Sequence, residues 1–182
     1  VPAGEFSMGS NSYDDGKPIH DVYLDSYWID RTEVTNAMYA NCVGAGKCNP
    51  PSSKKSLTRE SYYGNSNFND FPVIYISWND ANTYCEWRSN GAHLPIEAEW
   101  EKAAGWDDEK KEKRVYPWGN TFDGSFLNFC DSNCPYDWAD KTADDDFADT
   151  SPVGYYPNGA SFYGLLDIAG NVWEWVSDWY DP

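Results

Sequence analysis

Residues 164–175, GLLDIAGNVWEW, place two carboxylates, Asp167 and Glu174, on either side of a Gly-Asn pair in an otherwise apolar stretch. Calcium takes about six to eight oxygen ligands from carboxylates, amides, backbone carbonyls and water. The two acids supply carboxylates, and Gly170, which has no Cβ, lets the backbone curl so that carbonyls point inward. The stretch is therefore a candidate calcium site, and the alternative is a solvated turn whose acids face water.

Cysteines are the second group of residues that could do chemistry. Cys42 and Cys48, and likewise Cys130 and Cys134, are close in sequence with glycine, asparagine or serine between them. Such spacing predicts two local disulfides in an oxidising compartment, and hence a secreted protein. The alternative is five reduced cysteines in a cytosolic protein. Cys130 and Cys134 have no neighbouring histidine or further cysteine, so a zinc site, which needs four ligands, is disfavoured there.

Charge and hydropathy exclude several kinds of partner. The 182 residues carry a formal net charge of −17, so the basic surface that binds nucleic acid is lacking. Attraction to an anionic lipid surface is equally disfavoured. The sequence contains no run of about 18 apolar residues, which predicts no membrane insertion. The length predicts one domain over residues 1–182, and the 18% aromatic content is typical of a loop-rich domain with a few large core side chains.

Few regular elements are predicted to position these residues. Strands are expected in GEFSMGS, in HDVYLD and, as a buried strand, in FPVIYIS at residues 71–77. A first helix is expected after the N-cap Thr35, and a second between Ser77 and Gly91. On the second helix, the residues expected to face the core are Trp78, Ala81, Cys85 and Trp87. A third helix is expected with Pro95 at its first position and Gly105 at its end.

The remaining segments are predicted to be irregular. WDDEKKEKR, residues 106–114, has mixed charges and is expected to be a solvated loop or helix end. From Tyr116 onward turn-forming residues dominate, and such a long irregular region needs braces other than a sheet. Metal ions and disulfides are the usual braces.

Seven stretches in order resemble the motifs of the formylglycine-generating enzyme family, also called sulfatase-modifying factor domains: VPAGEFSMGS, IDRTEVTNAMYA, PVIYISWNDANTYCEW, HLPIEAEWEKAA, YPWGN, SPVGYYPNG and GLLDIAGNVWEWVSDWY. The resemblance implies an α+β, irregular, loop-rich variant of the C-type-lectin-like fold with calcium ions bound in loops. One motif departs from the family pattern: His93 replaces an arginine and Ile96 replaces a threonine. Because Ile96 cannot cap with a hydroxyl, that helix is expected to begin with the help of Pro95 and nearby acids.

The resemblance also implies ligands for two calcium ions. The first set is the side chains of Asp167 and Glu174 with the carbonyls of Gly170 and Val172. The second set is the side chains of Asn128 and Asp145 with the carbonyls of Phe129 and Phe147. Asp144 and Asp146 leave the register of the second set open by one residue, and the alternative there is an acidic, mobile loop. In the family, the cysteine at Cys85 can pair with one in a later portion.

Three functions follow from the resemblance as hypotheses. Family members continue into a C-terminal portion with a catalytic cysteine pair, whereas this chain ends at DWYDP, so we expect it to be C-terminally incomplete and to hold no catalytic residue itself. The first hypothesis is a non-catalytic extracellular or cell-surface module that binds a protein or glycan. The second is an oxidase that converts a sulfatase cysteine to formylglycine, with copper bound in the further portion. The third, an iron-dependent sulfoxide synthase, needs a histidine cluster, and two isolated histidines are too few.

Overall fold

The computed structural model describes residues 1–12 and 14–179; Tyr13 and residues 180–182, which fall within the predicted domain 1–182, lie outside the described residues. Two of the predicted strands are confirmed: β1 (Gly4–Met8) pairs antiparallel with β2 (His20–Leu24). Phe6, at the centre of β1, is buried and meets Trp106 edge to face, with 6.2 Å between ring centroids. The hairpin therefore closes over the third helix and the strand that follows it.

Helices α1 (Asn36–Gly44) and α2 (Trp78–Arg88) begin where their caps predict. The Thr35 hydroxyl accepts from the Met38 amide at 3.1 Å, and the Ser77 hydroxyl accepts from the Asp80 amide at 3.2 Å. Each bond satisfies an amide that has no partner within the helix. Each capping residue immediately precedes its helix in sequence, so the sequence alone is enough to predict where the helix begins.

The two helices pack through stacked aromatic rings. Tyr39 of α1 and Tyr84 of α2 are buried, with ring centroids 5.7 Å apart, beside the buried Cys42. The predicted core face of α2 is therefore wrong in part: Tyr84 is its buried residue, and Trp87 is exposed. The Trp78 ring is not part of the core between α1 and α2 and stacks on Trp179 instead.

The predicted strand at residues 71–77 is wrong. These residues form only an isolated bridge, between Thr35 and Pro72. Pro72 has no amide hydrogen to donate to a ladder, and Tyr75 has a positive φ of 60°, which interrupts extended backbone. The apolar side chains of this run serve as packing against α1 and α2, since Val73 and Ile76 contact that core.

Helix α3 (Glu97–Gly105) begins two residues later than expected, because Ile96 is its N-cap and Pro95 precedes it. Two acids assist its start: Glu99 Oε2 accepts from the Ile96 amide at 3.0 Å, and Asp178 Oδ2 accepts from the Glu97 amide at 2.5 Å. The first is the nearby acid that the sequence predicts, and the second arrives from the far end of the chain.

The buried face of α3 positions the candidate calcium stretch. Ala103 and Ala104 are buried against Leu165 and Ile168, which flank Asp167. Lys102 is also buried, and its Nζ donates to the carbonyls of residues 2 and 4 at 3.1 and 2.9 Å. The helix thus joins the N-terminal hairpin to the region of the two carboxylates.

The charged run after α3 folds into a small hairpin, so its interpretation as a solvated loop or helix end is wrong in part: residues 109–113 are exposed, but Trp106 and Asp107 are buried. Strand β3 (Trp106–Asp107) pairs antiparallel with β4 (Glu112–Lys113). Asp107 is buried and accepts from the Lys110 amide at 3.0 Å and from Arg114 Nη2 at 2.7 Å. These bonds lower the pKa of Asp107, with the Lys110 amide as the largest cause.

Beyond this hairpin the regular structure of the described residues is an isolated bridge between Tyr116 and Gly119 and short 3-10 turns at Gly124–Phe126 and Pro157–Gly159. The prediction of an α+β, loop-rich fold is confirmed. No helix among the described residues has the length and apolar character to span a membrane.

Candidate metal centre

The turn that contains Asp167 is held by unusual backbone geometry. Asp167 and Asn171 both have positive φ, 62° and 63°. The Gly170 amide donates to the Asp167 carbonyl at 2.9 Å, and the Val172 amide donates to the Gly170 carbonyl at 2.8 Å. A Cβ on Gly170 would collide with the carbonyl oxygen of Asn128. Only glycine therefore fits at this position, where the turn lies against the chain of the second predicted site.

Three carboxyl groups interact electrostatically at this turn. Besides Asp167 and Glu174, which the sequence predicts, the structure adds Glu33 from the segment before α1. One oxygen of each carboxylate accepts a hydrogen bond. Glu33 Oε1 accepts from Asn171 Nδ2 at 2.9 Å, and Asp167 Oδ2 accepts from the Gly154 amide at 2.5 Å. Glu174 Oε2 accepts from Trp100 Nε1 at 2.6 Å. Glu33 lies in the IDRTEVTNAMYA stretch, but the resemblance implies no ligand role for it, and it meets the turn only in three dimensions.

Two oxygens of this carboxylate cluster (Glu33, Asp167 and Glu174) have no partner. Among the described residues, Glu33 Oε2 and Asp167 Oδ1 are both buried and have no hydrogen-bond donor. Burying an unpaired carboxylate oxygen costs free energy, so native proteins pair such groups or coordinate them to a metal. Two unpartnered oxygens within one acidic cluster fit a bound cation.

Burial raises the pKa of each carboxyl group in the cluster. Burial, reinforced by the charge of Asp167, raises the pKa of Glu33 to about 9. Burial also raises the pKa of Asp167, and that of Glu174, whose carboxyl end is desolvated although the residue as a whole is exposed. Carboxyl groups that lie close together disfavour one another's ionisation. A cation bound between them would favour the ionised form instead.

Asn171 connects this cluster to the second predicted site. Its Nδ2 donates to Glu33, and its Oδ1 accepts from the Ser151 amide at 2.9 Å and from Asn128 Nδ2 at 3.1 Å. The Asn128 Nδ2 also donates to the Asp149 carbonyl at 2.7 Å. The two predicted sites are therefore neighbours that share one hydrogen-bond network.

The second site is organised around Asp145. Its Oδ2 accepts from the Phe129 amide and its Oδ1 accepts from the Phe147 amide, both at 2.8 Å. Asp145 is buried, whereas Asp144 and Asp146 are exposed. Burial raises the pKa of Asp145. The structure thus brings three of the four predicted residues into direct contact, with Asn128 adjacent in the chain and turned toward Asn171.

Neither predicted site consists of carboxylates alone. Within residues 1–12 and 14–179, no three histidine, cysteine, aspartate or glutamate side chains form a group that could hold a metal by themselves. A cation at either site would need amide and backbone carbonyl oxygens as well, and calcium uses these readily. The donor set is all oxygen, which suits a hard cation better than copper, iron or zinc.

A cleft of about 740 Å³ opens beside the carboxylate cluster. Glu33 and Glu174 line it, together with the fully exposed Trp28 and Trp173. Cys85 also lines it as an unpaired, half-buried thiol, and burial raises its pKa, which disfavours the reactive thiolate. Among the described residues it is the single unpaired thiol, so they do not form a two-thiolate copper site.

Both predicted disulfides are present. Cys42 is bonded to Cys48 and Cys130 to Cys134. The first lies in the aromatic core between α1 and α2. The second closes the loop immediately after Asn128 and Phe129, so it braces the second predicted site.

Comparison with known proteins gives consistent matches. The family profile described as "Sulfatase-modifying factor enzyme 1-like domain" matches residues 1–182. The chain is 32% identical to the bovine (Bos taurus) "Inactive C-alpha-formylglycine-generating enzyme 2", covering 99% of this chain and 70% of that protein. It is 29% identical to the mouse (Mus musculus) "Formylglycine-generating enzyme", covering 99% of this chain but 57% of that one. The structure of PvdO from Pseudomonas aeruginosa has the same fold, with a TM-score of 0.73 at 24% identity over 100% of this chain and 70% of PvdO.

Proposed function

We propose a function for this chain from its family, since the chain belongs to the sulfatase-modifying factor family of formylglycine-generating-enzyme-like domains. Within that family we propose a calcium-stabilised domain that acts as a non-catalytic binding or display module outside the cell. The observation that carries the calcium proposal is the pair of buried, unpartnered oxygens on Glu33 and Asp167.

The first calcium ion would be held by the carboxylate cluster and the turn beside it. Asp167 and Glu174 supply side-chain oxygens, Gly170 and Val172 supply carbonyls, and Glu33 is an additional carboxylate. Because these carboxylates alone do not form a metal-holding group among the described residues, the carbonyl oxygens are needed to complete the coordination, and a cation there would satisfy the two unpartnered oxygens. The ion supplies a cross-link between three parts of the chain: the segment before α1, the turn and the segment leading to Trp175.

The second calcium ion would be held by Asn128, Phe129, Asp145 and Phe147. Support comes from the burial of Asp145, whose carboxylate joins the two stretches that contain the other ligands. Here every carboxylate oxygen already has a donor, so the support is weaker than at the first site. The ion would brace an irregular region that has no strand to hold it.

Metal content tests both sites directly. The purified protein is equilibrated with calcium, dialysed, and analysed for bound metal per chain. We expect two ions in the native chain, one in Asp167→Asn and one in Asp145→Asn. Asp137→Asn is the matched control, because this exposed aspartate has no partner among the described side chains and should leave the content at two. A native chain without calcium would contradict both sites.

The non-catalytic, extracellular part of the proposal has separate support. Two disulfides persist in oxidising compartments and are rare in the cytosol. One relative, whose alignment covers 99% of this chain at 32% identity, is itself described as inactive. Large aromatic side chains such as Trp138 and Trp173 are exposed, as in surfaces that bind partners of protein or glycan type. An oxidation assay tests this part: incubation with a sulfatase-derived cysteine peptide should give no formylglycine by mass spectrometry.

The second candidate function is the formylglycine-generating oxidase itself, which the match to the mouse enzyme favours. This chain spans 57% of that enzyme, and copper would need thiolates beyond the described residues. The same peptide assay, repeated with copper and with a longer form of the protein, separates the two functions. Turnover by the 182-residue chain would refute the non-catalytic proposal.

A further inference from the structure

Two aromatic side chains that do not line the cleft stack on each other at the surface. The rings of Tyr136 and Trp138 are nearly parallel, 9° between planes and 5.2 Å between centroids, which is an offset stack. Trp138 is 73% exposed and Tyr136 is 43% exposed. An indole ring stacked on one side and open on the other presents a flat aromatic face to solvent.

The loop under this aromatic pair is held in place. The Cys130–Cys134 disulfide closes its first part, and the Asp140 amide donates to the Cys130 carbonyl at 3.0 Å. Ala139, next to Trp138, is buried, and its amide donates to the Tyr136 carbonyl at 3.2 Å. A partner that binds here meets a surface already ordered, so little conformational entropy is lost on binding.

The segment of the chain that carries the pair is strongly anionic. Residues 119–160 contain eight aspartates and one lysine, a net charge of −7 out of −17 for the whole chain. Among the described residues, Asp149 pairs with Arg59, and no other aspartate of this segment forms an ion pair. The lysine, Lys141, donates to the Cys134 carbonyl instead. Hydrogen bonds from Thr142 lower the pKa of Asp140, so this carboxylate next to the loop stays charged.

We propose that the Tyr136–Trp138 pair is a docking surface for arginine or lysine side chains of a basic segment in a partner protein. A cation over an aromatic face is attracted to the ring, and the exposed aspartates beside the pair in sequence, Asp137 and Asp140, add a longer-range attraction. Arginine is favoured because its planar guanidinium also stacks on the ring. A neutral sugar could stack on the same indole but gains nothing from the net charge, so charge complementarity favours the cation.

A labelled peptide tests the proposal. The probe is a fluorescein-labelled hexapeptide of alternating glycine and arginine, and binding to the chain is followed by fluorescence anisotropy with saturating calcium and again with EDTA. Trp138→Ala should weaken binding about two- to fivefold, the value of one exposed cation–π contact. Asp137→Asn should weaken binding and reduce its salt dependence. Trp28→Ala is the control, since Trp28 is more exposed than Trp138 but lies outside this segment, and it should bind like the native chain.

Three results would overturn the proposal. The first is equal binding by the native chain and Trp138→Ala, with unchanged thermal stability of both, which would leave only non-specific attraction to an acidic protein. The second is equal binding of a peptide in which citrulline replaces arginine. The third is Trp138-dependent binding of maltoheptaose without binding of the basic peptide, which would make the surface a glycan site. Because the measurement is made with and without calcium, loss of the metal sites is distinguishable from failure of this surface.

Discussion

Helix α3 is capped by a residue from the other end of the chain, and this arrangement can be tested quantitatively. The Glu97 amide, the first of the helix, donates to Asp178 Oδ2 at 2.5 Å across 81 residues of sequence. Loss of a side-chain cap costs about 0.5–2 kcal/mol. Asp178 is exposed, so solvent screens its charge and we expect Asp178→Ala to lower the free energy of unfolding by about 1 kcal/mol. For a chain of this size that is a fall of about 2–4 °C in melting temperature.

A proline background isolates this hydrogen bond. Proline is tolerated at the first position of a helix, and Glu97→Pro removes the amide hydrogen that Asp178 accepts. Ile96 already has an extended backbone, φ −71° and ψ 157°, as a residue before proline requires. Asp178 is exposed and can rotate away from the new ring. In the Glu97→Pro background, Asp178→Ala should therefore cost close to nothing.

Urea unfolding followed by tryptophan fluorescence gives the free energy of unfolding of four proteins: the native chain, Asp178→Ala, Glu97→Pro and the double variant. Asp178→Asn is a further control, because it keeps the accepting oxygen and loses only the charge. The reasoning is refuted if Asp178→Ala costs the same in both backgrounds, since its effect would then not pass through the Glu97 amide.

Two further predictions concern backbone space and pH. Gly159→Ala should destabilise the chain by about 1–3 kcal/mol in urea unfolding, because its Cβ would collide with the Phe126 carbonyl oxygen. Gly44→Ala, where nothing lies within 4 Å of the added Cβ, should be neutral or slightly stabilising, and equal effects at both positions would contradict this account. The lowered pKa of Asp107 means that its bonds, including that from Arg114, stabilise the fold above the ordinary aspartate pKa and are lost as pH falls through the lowered value. Asp107→Asn should therefore lose less stability than the native chain between neutral pH and pH 3, as measured by thermal melts, and parallel pH profiles would exclude this role.

The sequence predicted the starts of α1 and α2 and the disulfides correctly, because both depend on residues that are close together along the chain. Thr35 and Ser77 cap helices that begin one residue later, and the cysteine pairs are close enough to bond locally. The predicted strand at residues 71–77 is wrong because an apolar stretch indicates that its side chains are buried, not that its backbone pairs with another strand. Pro72 and Tyr75 interrupt such pairing.

Long-range contacts explain what the sequence left out at the candidate site. Glu33 lies 138 residues from Asn171, to which it is hydrogen-bonded, and its own stretch, IDRTEVTNAMYA, is not among the stretches to which the resemblance assigns ligands. The resemblance supplied the two sets of ligand residues, since these lie in short stretches. It did not supply Asn171 as the link between them, because that role depends on how the two stretches fold against each other.

Calcium binding at the carboxylate cluster is the central claim, and the melting temperature in calcium and in EDTA tests it most directly. A ligand at about 100 times its Kd stabilises the folded state by about 2.7 kcal/mol. That corresponds to a rise of about 5–10 °C for a chain of this length. We predict this rise for the native chain and a clearly smaller one for Asp167→Asn, in which one carboxylate of the cluster is neutral. Identical melting temperatures in calcium and in EDTA would contradict the claim, and the unpartnered oxygens of Glu33 and Asp167 would then need another explanation.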